Sequence, residues 1–565
     1  MAPYQNYTTE RFENLKQIYR ASAKRFGEKT LFMQKRGKTY RNISFRQYSA
    51  DVDALGTELY ARGFSGKKII IMGENGYEWV TAYMAVICGV GTAVPIDKEI
   101  SAEELANLIK LSDAEAMLCS ASLKEKLTRI GNSMETVFFE DFPKLIEAGN
   151  VRIQACDRTF LDAEIDADAM SSLIFTSGTT DAAKGVMLSH RNLCFNLSEM
   201  CRMVYIDESD IFLSVLPLHH VYQCTCGFLC PLYRGSTVAF GDGLRYITRN
   251  MQEVHPTVML CVPLLIETMY HKIEANIQRQ GMEKKIQNAV NLTNALHNPR
   301  MRAMAKQHLF ADIHKSFGGK LRLLISGGAS ANPAVLKGFR DLGISAIQGY
   351  GLTECSPIAA MNRDTFYNDG SAGMATPDTL LDIYDMKDDG TGEIRFKGDN
   401  IMLGYYKMPA LTAEVIRDGW FYTGDLGYLD ENGFLFITGR KKNVIITAGG
   451  KNIFPEELET YLNRTRFIKE SVVVGYVNPK KKDYDIVAII HPDYAKLEQT
   501  FGPSFTEERL DLELRKAVSE VNGIVLPYKR MKTFLISKKE FPKNTSHKIK
   551  RLGIADAFAE EYYKK

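Results

Sequence analysis

Between residues 67 and 119 short apolar runs alternate with stretches of helical pattern, and that alternation restricts the possible folds more than any other feature of the chain. KKIIIM (67–72) reads as a buried strand, residues 74–88 as a helix and residues 91–96 as a second strand. Ser101, with Glu103 and Glu104 in the first turn, opens the next helix, and residues 116–119 form a third strand. Strand, helix, strand, helix, strand predicts a parallel sheet with helices on its faces.

The pattern returns after residue 190. A helix is expected over 191–203, strands over 211–216, 236–240 and 256–261, a further segment over 263–270, then strands over 321–326 and 345–350. Residues 271–317 are a charge-rich, amphipathic helical insertion with no glycine between Gly281 and Gly318. Residues 9–62 read as helical, with a hairpin near 35–43. From 373 to 436 short alternating runs separated by Gly and Asp turns predict a mainly antiparallel β region, and 443–565 a small α+β unit. The expected whole is an α/β protein: a large domain over 1–440 and a smaller one over 443–565.

With 565 residues the chain exceeds one ordinary core. A hydrophobic fraction of 45%, a charged fraction of 25% and a net charge of +3 describe a soluble globular protein and give no reason to expect nucleic acid as partner. The most apolar window, residues 80–96, is interrupted by Gly89, Gly91 and Pro95 and is too short to span a bilayer, so no spanning segment is expected. The N-terminus lacks a basic stretch followed by an apolar run, which argues against a signal peptide. The ten cysteines are scattered, as free thiols in a reducing compartment would be, and a cytoplasmic location follows as an expectation. Cys224, Cys226 and Cys230, just after His219 and His220, lie among apolar residues and read as core rather than as a metal cluster.

Five stretches carry candidate chemistry. The first is SSLIFTSGTTDAAKGVMLSH (171–190), a strand end followed by a hydroxyl-rich turn, then Lys184 and Gly185, then a segment that could open a helix. Such a turn suits phosphate oxygens. It is not a Walker loop, which needs glycine at 183 and Ser or Thr at 185, where this chain has Ala183 and Gly185. A polar surface turn is the plainer alternative.

LLISGGAS (323–330) puts two glycines just past a buried strand, where ligands of parallel sheets bind, although Gly-Gly after a strand is also an ordinary turn. QGYGLTECSP (348–357) sets Tyr350, Thr353 and Glu354 among glycines: a ring to stack on a base, a hydroxyl for phosphate and an oxygen ligand for Mg2+, or else a core tyrosine before a helix start. In WFYTGDLG (420–427) Asp425 sits in a turn beside aromatics, suited to a ribose diol or to a simple hairpin, and Arg440 follows as a cation for sugar or phosphate. Finally, residues 527–551 hold nine Lys or Arg against the single acid Glu540, a solvated face or a polyanion contact. His219 and His220 are equally suited to core packing and to a pocket mouth.

In this order the motifs resemble the adenylate-forming superfamily of acyl-CoA synthetases, peptide-synthetase adenylation domains and beetle luciferases. The resemblance runs over about 25–555 and rests on TSGTT…KG, YGLTE, GEIRFKG, WFYTGDLG, GRKKNVIITAGGKNIFPEELE and PKNTSHKIKR. It implies that Thr176, Ser177, Gly178, Thr179, Thr180 and Lys184 form a loop over the β- and γ-phosphates of ATP. Gly328 and Ala329 would border the acyl pocket and adenine, and Tyr350, flanked by Gly349 and Gly351, would face adenine. Thr353 would touch the α-phosphate, Glu354 would hold Mg2+, and Asp425 with Arg440 would bind ribose. Lys442 matches the hinge about which the C-terminal lid turns, Lys548 the lysine of the adenylation step, and Gly449, Gly450 and Lys451 a turn near the thiol channel.

The resemblance narrows towards long-chain fatty acyl-CoA synthetases at LPLHHVYQ, where His220 matches their histidine, and at the helical insertion. It implies a carboxylic acid, ATP, Mg2+ and coenzyme A as reactants; a free acyl carrier protein as acceptor, an aryl or medium-chain acid, and a non-catalytic nucleotide sensor are the alternatives. Peripheral membrane contact and either a monomer or a homodimer fit equally. Three positions depart from the family pattern: Asp181 and Ala183 where Gly and Pro are usual, and His547 in place of glycine beside Lys548.

Overall fold

The computed structural model describes residues 4–176, 183–447, 451–478, 483–543 and 549–564. Two large sheets carry most of it. In the seven-stranded sheet the order is Gly404–Tyr405, Lys184–Ser189, Met170–Thr176, Thr92–Pro95, Lys68–Met72, Ala116–Cys119, Glu135–Phe138. The last five of these strands run parallel, and Lys184–Ser189 and then Gly404–Tyr405 join antiparallel at the edge.

The nine-stranded sheet is parallel from Ser345–Gly351 through Leu323–Ser326, Val258–Cys261, Ile211–Ser214 and Thr237–Phe240 to Thr30–Arg36, with antiparallel strands at both edges. Its central strands are buried on both faces and are accordingly near-continuous apolar runs such as VMLC and LLIS. One core, including Phe32, Tyr48, Trp79, Ile71, Phe228 and Leu260, fills the space between the two sheets, so their facing surfaces are locked together.

Residues 380–440 form a separate antiparallel sheet in which Trp420–Leu429 pairs with Gly392–Lys397 and Leu435–Arg440. Beyond it, Ile453, Leu458, Val473, Ile486, Leu514 and Phe534 share a core of their own around the three strands Ile468–Asn478, Asp483–Pro492 and Thr533–Ile536.

The α/β architecture agrees with the alternation read from the sequence, which leaves out the strand Glu135–Phe138 and the helix Phe142–Gln154 and differs at further points. After Lys184 the chain forms the strand Lys184–Ser189, not a helix, because pairing with Met170–Thr176 satisfies its backbone; the helix starts only at His190, behind a Ser189/Asn192 capping box. The insertion is not one run: the helix Pro263–Arg279 is followed by Glu283–Asn294, Pro299–Leu309 and Ala311–Ser316. The β region holds one short helix, Pro409–Val415. A helix Tyr494–Phe501 precedes Glu507–Ile524, and Ile554–Lys564 is helical as well.

Candidate active site

The helix His190–Met203 shows how the fold assembles the site. Asn192 and Asn196 lie one turn apart and are buried. Asn192 Nδ2 donates to the carbonyls of Asp399 and Ile401, at 2.8 and 2.9 Å, and so fixes the approach to Tyr405. Asn196 Nδ2 donates to the carbonyls of Cys355 and Ile358, at 3.3 and 2.7 Å, and so fixes the turn that carries Glu354. Ser356 Oγ donates to the Asn400 carbonyl at 2.9 Å and ties the two segments to each other.

Held this way, Tyr405 and Glu354 meet: the phenol donates to Glu354 Oε1 at 2.8 Å, and burial, then the carboxylate, raise the Tyr405 phenol well above the ordinary tyrosine value. Lys184 Nζ stands 5.3 Å from the centroid of the same ring. The ring reaches Lys184 because Gly404–Tyr405 is the edge strand beside Lys184–Ser189, with Tyr405 opposite Val186. Thr176 is opposite Lys184 in the next register, at the end of its strand.

Four residues before Glu354, the strand Ser345–Gly351 delivers Tyr350. Its hydroxyl donates to Asp425 Oδ2 at 2.6 Å, while Arg440 Nε pairs with Asp425 Oδ1 at 3.0 Å. Asp425 and Arg440 are directly opposed in neighbouring antiparallel strands, which sets their distance through the backbone. Asp425 is buried, and burial together with its charge pushes the Tyr350 phenol far up. Gly349 and Gly351 permit this packing, since a Cβ on Gly351 would lie 2.0 Å from the Pro357 carbonyl oxygen.

Lys442 links the two groups. Its ammonium is held below the ordinary lysine value by burial first, then by the positive charges of Arg440 and Lys184. The side chain itself is exposed, and like charges brought together there favour an anion between them.

On the far side, Gly327 and Gly328 follow Leu323–Ser326. Tyr222 lies over Gly327, where a Cβ would come within 2.8 Å of its ring, and its hydroxyl donates to the Ile325 carbonyl at 3.0 Å. Gly328, at φ +88°, and Ala329 are exposed just past the C-terminal end of this interior strand, with Val262 alongside. Gln348 Oε1 accepts from the Ala331 backbone at 2.8 Å and pins this loop to the strand that carries Tyr350. The His220 ring lies tilted against that of His219, with centroids 4.5 Å apart, and burial pushes the His219 imidazole down to about 4. The nearest carboxylate oxygen to His219 Nε2 is Asp97 Oδ2, at 3.7 Å.

The described residues thus bring together Thr176, Lys184, Glu354, Tyr350, Asp425, Arg440 and Lys442, with Thr353 half-buried between Tyr350 and Glu354. Ser177, Gly178, Thr179, Thr180, Asp181, Gly449, Gly450, His547 and Lys548 lie outside the described residues; Lys451 is exposed, and its backbone bonds with Thr447. Among the described residues no cluster of His, Cys, Asp or Glu is placed to hold a metal by itself. The Glu354 carboxylate, with Oε1 engaged by Tyr405, fits a metal that arrives with its own phosphate ligands.

Four of the nine cations in the basic run near the C-terminus are paired: Lys529 with Glu457, Lys532 with Asp485, Lys543 with Glu470 and Arg551 with Glu459. Sequence reasoning missed Tyr405, Asn192, Asn196 and Tyr222. No local pattern marks them, since each acts across a separation of tens to hundreds of residues.

Known proteins resemble this chain in sequence family and in fold. The profile of the family described as AMP-binding enzyme matches residues 19–406. A long-chain-fatty-acid–CoA ligase (FadD15) of Mycobacterium bovis is 28% identical over 541 residues, covering 88% of this chain and 87% of the relative. A chloroplastic long-chain-fatty-acid–acyl-carrier-protein ligase of Arabidopsis thaliana is 26% identical, covering 90% and 81%. The fold is shared with ATP-bound MatB from Rhodopseudomonas palustris, at a TM-score of 0.74 and 22% identity over 97% of this chain and 100% of that one. With a family match over well more than half of its length, laid on a site whose cationic and carboxylate groups converge, this chain belongs to the AMP-binding enzymes.

Proposed function

We propose that this protein activates a fatty carboxylic acid as acyl-AMP, releasing pyrophosphate from MgATP, and then transfers the acyl group to coenzyme A. The observation that carries the reading is the convergence of Lys184, Tyr405 and Glu354 with Tyr350, Asp425 and Arg440 around one cationic position. Lys184 and Lys442 would hold the triphosphate, and Asp425, with both oxygens oriented by Tyr350 and Arg440, would accept the ribose hydroxyls. Glu354 would hold Mg2+, which screens charge on the phosphates when bound.

A carboxylate is a poor acyl donor, so the chain's task is to steady negative charge as the acid oxygen attacks the α-phosphorus. Lys548 is assigned that role by its motif, with Thr353 beside the α-phosphate and Thr176 at the loop entrance. His220, Gly328 and Ala329 would border the acid, and Gly449, Gly450 and Lys451 the thiol path. Residues 443–565 would act as a lid hinged at Lys442, carrying Lys548 out after the first half-reaction.

The test is an acid panel from acetate to stearate, with aromatic acids, incubated with ATP, Mg2+ and CoA and read by mass spectrometry. Acyl-CoA and AMP from long- or medium-chain acids support the proposal. Product from aryl acids alone contradicts the fatty-acid assignment. A carrier-protein acceptor is the second reading, favoured by the Arabidopsis relative. Acylation of added carrier protein without CoA turnover selects it.

A further inference from the structure

A stretch of 28 residues, 284–311, contains no Asp or Glu but holds Lys284, Lys285, Arg300, Arg302 and Lys306. Acids flank it only at Glu283 and Asp312. The same stretch exposes large apolar side chains: Leu292 is 65%, Met301 59%, Met304 70% and Leu309 46% accessible. Neither Lys284, Lys285 nor Arg300 meets an acid among the described residues. Asp341, the acid that touches this region, is bonded to Asn294 and Lys337.

The helix Pro299–Leu309 has a defined inner and outer side. Lys306, its buried residue, turns inward and donates to the Arg340 carbonyl at 2.8 Å, and Arg302 Nε donates to the Leu296 carbonyl at 2.9 Å. At about 100° per residue, Arg300, Met301, Met304 and His308 fall together on the side away from Lys306. The helix is therefore anchored through polar groups and presents methionines and a guanidinium outward, the reverse of an ordinary surface helix. An outer face that is apolar and basic without acids matches the chemistry of an interfacial helix on a negatively charged lipid surface. An acidic protein partner would account for the cations but not for two exposed methionines on the same face as Arg300.

We propose that this part of the helical insertion, centred on Pro299–Leu309, docks the protein on anionic phospholipid bilayers. The bilayer contact rests on the surface alone. Its use, to take long-chain acids from the lipid phase, rests on the fatty-acid reading above.

The experiment is flotation of the full chain with phosphatidylcholine vesicles made with or without phosphatidylglycerol. Binding only to the anionic vesicles, weakened as salt rises, is expected. Met301→Ser with Met304→Ser, and separately Lys284→Glu with Lys285→Glu and Arg300→Glu, should each weaken binding at least tenfold. All five positions are exposed and none is among the residues assigned to the site, so turnover of a detergent-free medium-chain acid and the thermal midpoint should stay as in the parent. Absence of binding to anionic vesicles, or equal binding by parent and both variants, overturns the proposal whether or not the enzyme proves to be a fatty-acid ligase. If vesicles are ignored while an acidic carrier protein is retained through the same residues, the surface is a protein interface and the proposal is wrong.

Discussion

Asp425 is held from both sides, by the Tyr350 phenol on one oxygen and the Arg440 guanidinium on the other, so its carboxylate is fixed before any nucleotide arrives. Pre-orientation of this kind raises affinity by removing the ordering cost of binding. In Tyr350→Phe the buried Oδ2 loses its donor, a deficit of about 1–3 kcal/mol that binding would have to overcome. The expected outcome is an ATP KM raised about tenfold with a smaller change in kcat, measured by steady-state pyrophosphate release; an unchanged KM would contradict the assigned role.

A second residue-scale prediction concerns His190, buried with Nδ1 accepting from the Leu15 backbone and Nε2–H donating to the Ile87 carbonyl. Burial lowers its imidazole from 6.5 to about 4. The unfolded chain therefore binds the proton more readily, and stability is full above pH 6.5 and declines as pH falls towards 4. Urea midpoints across that window should drop on acidification, more steeply in the parent than in His190→Gln, which is weaker at pH 7 but has no imidazole to protonate. His219, lowered for the same reason, adds to the slope in both.

At the scale of elements, the helix His190–Met203 works as a clamp. Asn196 accepts from the Ile358 N–H and donates to two carbonyls of the Glu354 turn, and Asn192 holds the segment before Tyr405. Asn196→Leu fills similar space but leaves those groups unmatched. It should cost on the order of 1–3 kcal/mol in a urea titration and lower kcat with a smaller effect on ATP KM, because the Tyr350–Asp425–Arg440 group is untouched. Loss of stability with kcat unaltered would leave the helix a purely structural part.

This element also marks where the sequence was legible. The strands 67–72 and 116–119 stand out because buried parallel strands are short, nearly unbroken apolar runs, and 345–350 because it leads into the glycines of its motif. The site motifs stood out because Tyr350, Glu354, Asp425 and Arg440 sit in short runs of glycine and polar residues that packing alone does not demand. Tyr405 and Asn196 did not, because their partners, Glu354 and Ile358, are separated from them by dozens of residues or more and the bonds are made across elements. The segment from Lys184 forms a strand where the sequence suggests a helix opening, because pairing with Met170–Thr176 overrides the local pattern.

At the scale of the molecule, the core around Val473, Ile486 and Leu514 is separate from those of the two large sheets, which is what the proposed lid would need. The chain passes into it through Lys441–Asn443, directly after Arg440. If this unit serves the two half-reactions in turn, Lys548→Ala should abolish acyl-AMP formation yet still convert supplied acyl-AMP and CoA to thioester. Pyrophosphate release at the parent rate in that variant would contradict the assignment.

The central claim is acid-dependent adenylation at the site built on Glu354, Tyr350 and Asp425. It is tested most directly by ATP–pyrophosphate exchange without any thiol present. Exchange that appears on adding a fatty acid, and falls by orders of magnitude in Asp425→Ala, is the predicted result. No exchange above background with any carboxylic acid, from a protein that still binds ATP, would mean that the site holds the nucleotide without using it.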